Sequence, residues 1–166
     1  QTVNVMNEFF ATTADVYRLT QELDPAHDQH PAADHKGKDA HATCQRLARM
    51  IGRDASDADA AAWLSLAHAW RRAQSHEIAG QMQRVVEHHR LAADTPVVSA
   101  GCGDFLAEAL ARALRHPVVR FADLLPSAVP SPEVARWAQV AAPAVAVALL
   151  AAQAQAGAGT GTGASA

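Results

Sequence analysis

The chain has 166 residues, of which 49% are hydrophobic and 19% charged, a globular composition with material for one ordinary core. A formal net charge of -3 excludes the basic field that draws proteins to nucleic acid or anionic lipid, so neither is expected as a partner. The two cysteines, Cys44 and Cys102, lie far apart with no CxxC spacing, which points to reduced thiols in a cytoplasmic protein.

The opening stretch QTVNVMNEFF lacks an initiator Met and the basic and apolar regions of a signal peptide, so the chain reads as a fragment or a processed end. Phe9, Thr13, Val16, Tyr17 and Thr20 then recur at helical spacing and predict a helix over 8-23, capped by Asn7 and stopped before Pro25. The polar loop 24-38 follows, broken by Pro25, Pro31 and Gly37. A second helix is expected over 39-51, from Ala40, Cys44, Leu47, Ala48 and Ile51, with Arg46 and Arg49 favouring its C-terminal dipole and Gly52 capping it.

Ser56 and Asp59 resemble a capping box for residues 56-91, read as one long helix or as two broken near the middle, with Trp63 and Trp70 on the core side and Gly80 as a weak point. Together these helices make residues 1-96 a helical region. Residues 97-152 read differently: PVVSAG is a short strand, Asp104 to Arg115 a helix and PVVRF a second strand, a βαβ unit that should be parallel. Ser131, Pro132 and Glu133 open a last helix to about Ala152, kinked at Pro143. Its apolar run, Val140 to Ala152, is too short to cross a bilayer, and the Ala/Gly-rich 153-166 is expected to be a disordered tail.

Two stretches could carry chemistry. At Gly101, Cys102, Gly103 and Asp104 a strand runs through two glycines into a helix, which would present N–H groups to a phosphate or nucleotide; a tight turn uses the same residues. Cys102 would gain nucleophilicity at a helix N-terminus, but no histidine is placed in sequence to serve it, and it reads as a small turn residue. In the polar loop Asp28, His30 and Asp34 could ligate a divalent ion, and Lys36 and Lys38 an anion; a solvated loop is the plainer alternative. Asp15 and Arg18, three apart, are most simply a surface pair.

The segments NEFFATTADVYRLTQEL, DQHPAADHKGK, RLARMIGRDA and VVSAGCGDFLAEALA, in this order, resemble the C-terminal half of tetrahydromethanopterin-linked one-carbon-pathway proteins of the hydantoinase A/oxoprolinase group. The resemblance covers about residues 4 to 152. Most members have a glycine after the Ala-Ala-Asp, where this chain has His35, and a larger residue where it has Cys102. The group includes the methylofuran-biosynthesis synthase, which joins an aminomethyl-furan pyrophosphate to the phenol of γ-glutamyltyramine and releases pyrophosphate.

What the resemblance implies is an α/β fold: the helix-rich C-terminal lobe of an actin-like (ribonuclease H-like) ATPase architecture, with long helices beside a small parallel βαβ sheet. Gly101 to Asp104 would hold the phosphate or nucleoside end of the ligand. The family's Asp-x-Gly-Gly and Asp-x-Gly-Ser-Thr-Thr loops would precede Gln1, so an N-terminal lobe would be the partner and this chain alone would be inactive. The implied ligands are a phosphate-bearing small molecule, with ATP or a pyrophosphate as its anionic part, and Mg2+; a lobe with exposed apolar surface would also form homo-oligomers. An ATP-dependent hydantoinase-like or kinase-like enzyme of the same fold, and a non-catalytic helical interaction module, are the alternatives.

Overall fold

The computed structural model describes residues 4–125 and 131–159, which fall in two compact units, Gln1–Ala93 and Asp94–Ala166. The chain is mostly helical, 62%, with one two-stranded parallel sheet.

In the first unit, α1 spans only Thr13–Leu19. Its start is set by Thr12 rather than Asn7: Thr12 is extended, and its N–H donates to Asp15 Oδ2 at 3.0 Å, so the preceding residues stay outside the helix. Its end is set by Gln21, left-handed with φ 59°, after which the N–H groups of Glu22 and Leu23 both return to the Tyr17 carbonyl. Helix α2, Ala40–Met50, is capped by Asp39, whose carboxylate accepts the Ala42 N–H at 3.0 Å, and closed by Gly52 at φ 67°.

Helix α3 runs unbroken from Ala60 to His89, passing through Gly80. Its cap is Asp59, not Ser56; Ser56 belongs to a short 3-10 turn, Ala55–Asp57, that has a capping box of its own. Trp63 is buried as expected, and its indole N–H holds that turn through the carbonyls of Ala55 and Ala58 at 2.9 and 3.1 Å, whereas Trp70 is half-buried. Val16, Tyr17, Leu47, Ala48, Met50, Trp63 and Ala67 form the core between the three helices. Two polar pairs tie α1 and the turn that follows it to α3, Tyr17 to Gln74 and Glu22 to Arg71.

The second unit contains the βαβ arrangement. Strands β1, Val97–Ser99, and β2, Val118–Arg120, pair in parallel with Val97 opposite Val118, and helix α4, Asp104–Ala113, connects them. Ser131 then caps α5, Pro132–Val140, accepting the Val134 N–H at 3.2 Å.

The expected single kinked helix is in fact two. The chain breaks at Ala141, and α6, Ala142–Gly159, leaves at 99° to α5. Pro143 sits in the first turn of α6, where its missing N–H removes no helical bond, so the proline starts a helix instead of bending one. Residues 153–159, expected to open a disordered tail, continue α6, as their alanines and glutamines favour; residues 160–166 lie outside the described residues. No single helix among the described residues is long and apolar enough to cross a membrane.

Candidate functional site

The polar loop is organised by charges that are mostly out of water. Arg46 is fully buried, and so is Asp15. Arg46 Nε donates to Asp15 Oδ1 at 2.8 Å, and its Nη1 reaches Asp34 Oδ1 at 3.1 Å and the Gly37 carbonyl at 2.9 Å. From the other side Arg18 Nη1 donates to the same Asp15 Oδ1 at 2.7 Å, so the pair expected at the surface makes up two members of a buried triad. Arg18 then grips Asp28 with two parallel bonds, Nε to Oδ2 at 2.6 Å and Nη2 to Oδ1 at 2.8 Å. Lys38 completes the chain, its ammonium on the Asp28 carbonyl and on Asp28 Oδ1 at 3.1 Å.

Three of the five loop residues singled out in the sequence thus meet: Asp28, Asp34 and Lys38. His30 and Lys36 do not; their side chains are exposed. Arg46 is the member that sequence reasoning misplaced at the helix dipole. A signal for it existed, because Thr43, Arg46, Leu47 and Met50 stand at i, i+3, i+4 and i+7 and are all buried, so α2 turns this stripe to the core. An arginine on such a stripe requires a buried acid, and Asp15 supplies it.

The cations set the ionisation of the loop. The hydrogen bonds from Arg18 hold the Asp28 carboxyl below its ordinary range, outweighing burial, and Lys38 adds to the effect. At Asp34 burial works the other way, but the Lys36 N–H and the Arg46 guanidinium prevail and lower it. These bonds also bear on the question of a metal. Both oxygens of Asp28 are taken by cations, Asp34 is bonded to Arg46 and to the Lys36 N–H, and no three His, Cys, Asp or Glu side chains converge among the described residues. As arranged, these carboxylates serve the loop's cations and N–H groups.

One backbone feature of the loop concerns His35, which is left-handed at φ 56°. Its N–H closes a turn on the Ala32 carbonyl at 2.9 Å, and the next N–H, of Lys36, is taken by Asp34 Oδ1 at 3.1 Å. This backbone region suits glycine and strains a residue with a Cβ.

In the second unit the glycine turn is built as a turn. Gly101 is left-handed at φ 87°, and its N–H donates to the Gln139 carbonyl at 2.8 Å. The Gln139 side chain, 1% exposed, donates to the Ser99 carbonyl at 2.8 Å and to Asp104 Oδ2 at 3.1 Å, and accepts the Ala122 N–H at 2.9 Å. Asp104 is thus bonded within the unit, with Arg120 a further 3.7 Å neighbour. Gly103 caps α4, and Cys102 is an exposed free thiol. Nothing in the sequence marked Gln139 except a glutamine inside the apolar surroundings of Ala138 and Val140.

Compared with protein-family models and with curated proteins, the chain gives no match.

Removing one partner of the buried triad should be costly while removing both charges should cost less than the sum. Arg46→Met and Asp15→Asn are each expected to lower the unfolding free energy by about 3–5 kcal/mol, and the double variant to recover part of that loss; urea titration of the four proteins closes the cycle. Acid should act through Asp28. Its carboxyl is depressed in the folded state, so its contribution is present above the ordinary carboxylate range and disappears as pH falls through the folded value. Asp28→Asn is expected to flatten the acid limb of stability against pH while lowering the neutral plateau.

Proposed function

We propose that the chain is the C-terminal part of a transferase of the tetrahydromethanopterin-linked one-carbon pathway. It joins an aminomethyl-furan pyrophosphate to the phenol of γ-glutamyltyramine and releases pyrophosphate, within an actin-like architecture. The observation that carries this reading is the left-handed backbone at His35: the family it resembles has glycine at that place, and the loop keeps the conformation that glycine serves even where the residue differs. A second support is that three of the segments bearing the resemblance come together, with Asp15 and Arg18 from the first, Asp28, Asp34 and Lys38 from the second and Arg46 from the third forming one buried network.

The division of labour follows from the chemistry. The methylene carbon–oxygen bond breaks as the phenol oxygen bonds to that carbon and gives up its proton; negative charge develops on the oxygen that leaves with the pyrophosphate, and donors fixed in advance lower that barrier. The backbone of Gly101 to Gly103 is the segment of this chain assigned to the phosphate end, through the N–H groups of Cys102 and Gly103, since that of Gly101 is held by the Gln139 carbonyl. The pyrophosphate-displacing groups themselves belong to the protein's remaining half in this reading, and Mg2+ is assigned no residue of the loop.

Two measurements test it. His35→Gly is expected to raise stability by about 1 kcal/mol by relieving the left-handed backbone, read by thermal or urea unfolding; a loss of stability removes the support drawn from that position. Expressed with the coding sequence upstream of Gln1, the protein is expected to release pyrophosphate from the furan substrate when γ-glutamyltyramine is present, with and without added Mg2+ compared and no ATP consumed. Turnover that requires ATP would favour a hydantoinase-like or kinase-like enzyme.

A further inference from the structure

A cleft of about 440 Å3 lies beside the loop network, lined by Arg18, Gln21, Leu23, Pro25, Asp28 and Lys38. That volume suits a small molecule. Its electrostatics are unusual for a site rich in cations. Three cations, Arg18, Lys38 and Arg46, face three carboxylates, Asp15, Asp28 and Asp34, with Arg18 and Arg46 each bridging two of them, so the charges within the cluster balance. A diphosphate entering here would meet no excess positive potential and would lie against the Asp28 carboxylate.

The spare hydrogen-bonding capacity points elsewhere. A guanidinium has five N–H groups, and Arg18 uses three, two on Asp28 and one on Asp15. An ammonium has three, and Lys38 uses two, both on Asp28. Two donors on Arg18 and one on Lys38 remain, on charged groups that both line the cleft, while both Asp28 oxygens are engaged. Leu23 and Pro25 contribute apolar lining to the same cleft, and Gln21 an exposed residue.

We propose that this cleft binds a small molecule bearing a single carboxylate on an apolar stem. The carboxylate takes the remaining N–H groups of Arg18 and Lys38, and the stem lies along Leu23 and Pro25. Charged donors favour a carboxylate over a neutral carbonyl, since charge-assisted hydrogen bonds are about twice as strong. The balanced cluster accepts one added negative charge and disfavours several. This assignment is drawn from the donor count alone and stands without the transferase reading.

The test uses the full chain labelled with 15N and three probes: 3-phenylpropionate, 3-phenylpropanamide and inorganic pyrophosphate. Phenylpropionate is expected to shift the Arg18 side-chain N–H and the Gln21, Leu23 and Lys38 amides saturably, with a Kd on the order of 1 mM. The amide probe should bind about tenfold more weakly, and pyrophosphate should not displace phenylpropionate. Lys38→Met, which leaves the double Arg18–Asp28 contact in place, should weaken phenylpropionate about tenfold while the α1 and α2 resonances stay where they are. The proposal is overturned if phenylpropionate produces no saturable shift at these residues, if pyrophosphate competes for the cleft, or if the folded Lys38→Met protein binds phenylpropionate as well as the parent does. Pyrophosphate turnover by the longer protein is measured separately, so failure here leaves the transferase reading intact, and the converse.

Discussion

A guanidinium and a carboxylate that have both left water must remain together, and in the first unit this constraint governs everything around Asp15 and Arg46. Each would be costly to bury alone. Because Asp15 rides on α1 and Arg46 on α2, their bond sets how the two helices approach. Because the same guanidinium also takes Asp34 and the Gly37 carbonyl, it fixes the loop between them. A polar stretch with two prolines and a glycine would otherwise have little reason to keep one shape. The loop is ordered by charge from within, with Ala32 the apolar residue that it buries.

Outward from that pair the network becomes wetter by steps. Arg46 and Asp15 are fully buried, Arg18 and Asp28 are nearly so, and Lys38 is about a third exposed. The gradient explains why the inner members look structural and the outer ones can meet a ligand. The second unit solves a related problem with a neutral group. Gln139 gathers a strand end, a helix start and the turn after β2 through one amide, which satisfies three polar groups from a side chain that itself carries no charge.

Much of this was legible in the residues. The βαβ unit could be read from two β-branched runs around a helical pattern, and α2 and α3 from apolar spacing, although their caps, Asp39 and Asp59, could not. The boundary of α1 was not, because Phe9 and Phe10 extend the apolar pattern while Thr12 and Asp15 end it by a bond between backbone and side chain. The break at Ala141 was hidden because a proline at 143 reads equally as a kink or as a first turn. At the site, the loop residues stood out as chemically loaded, yet which of them meet was decided by long-range partners, Arg46 above all. Periodicity weighed apolar residues only and passed over an arginine sharing the stripe of Leu47 and Met50.

The short first helix carries a consequence for how the molecule assembles. Seven residues are too few for a helix to persist in water by itself, so α1 has no independent existence before its neighbours arrive. The partners that hold it are remote along the chain: Arg46 is 31 residues from Asp15, Arg71 is 49 from Glu22, and Gln74 is 57 from Tyr17. Closing loops of that length precedes any reward from the contacts they make. Helices α2 and α3, with capping of their own, would form early, and the segment from Thr12 to Leu23 would join them last, bringing its charged residues to a loop that settles only at that final step.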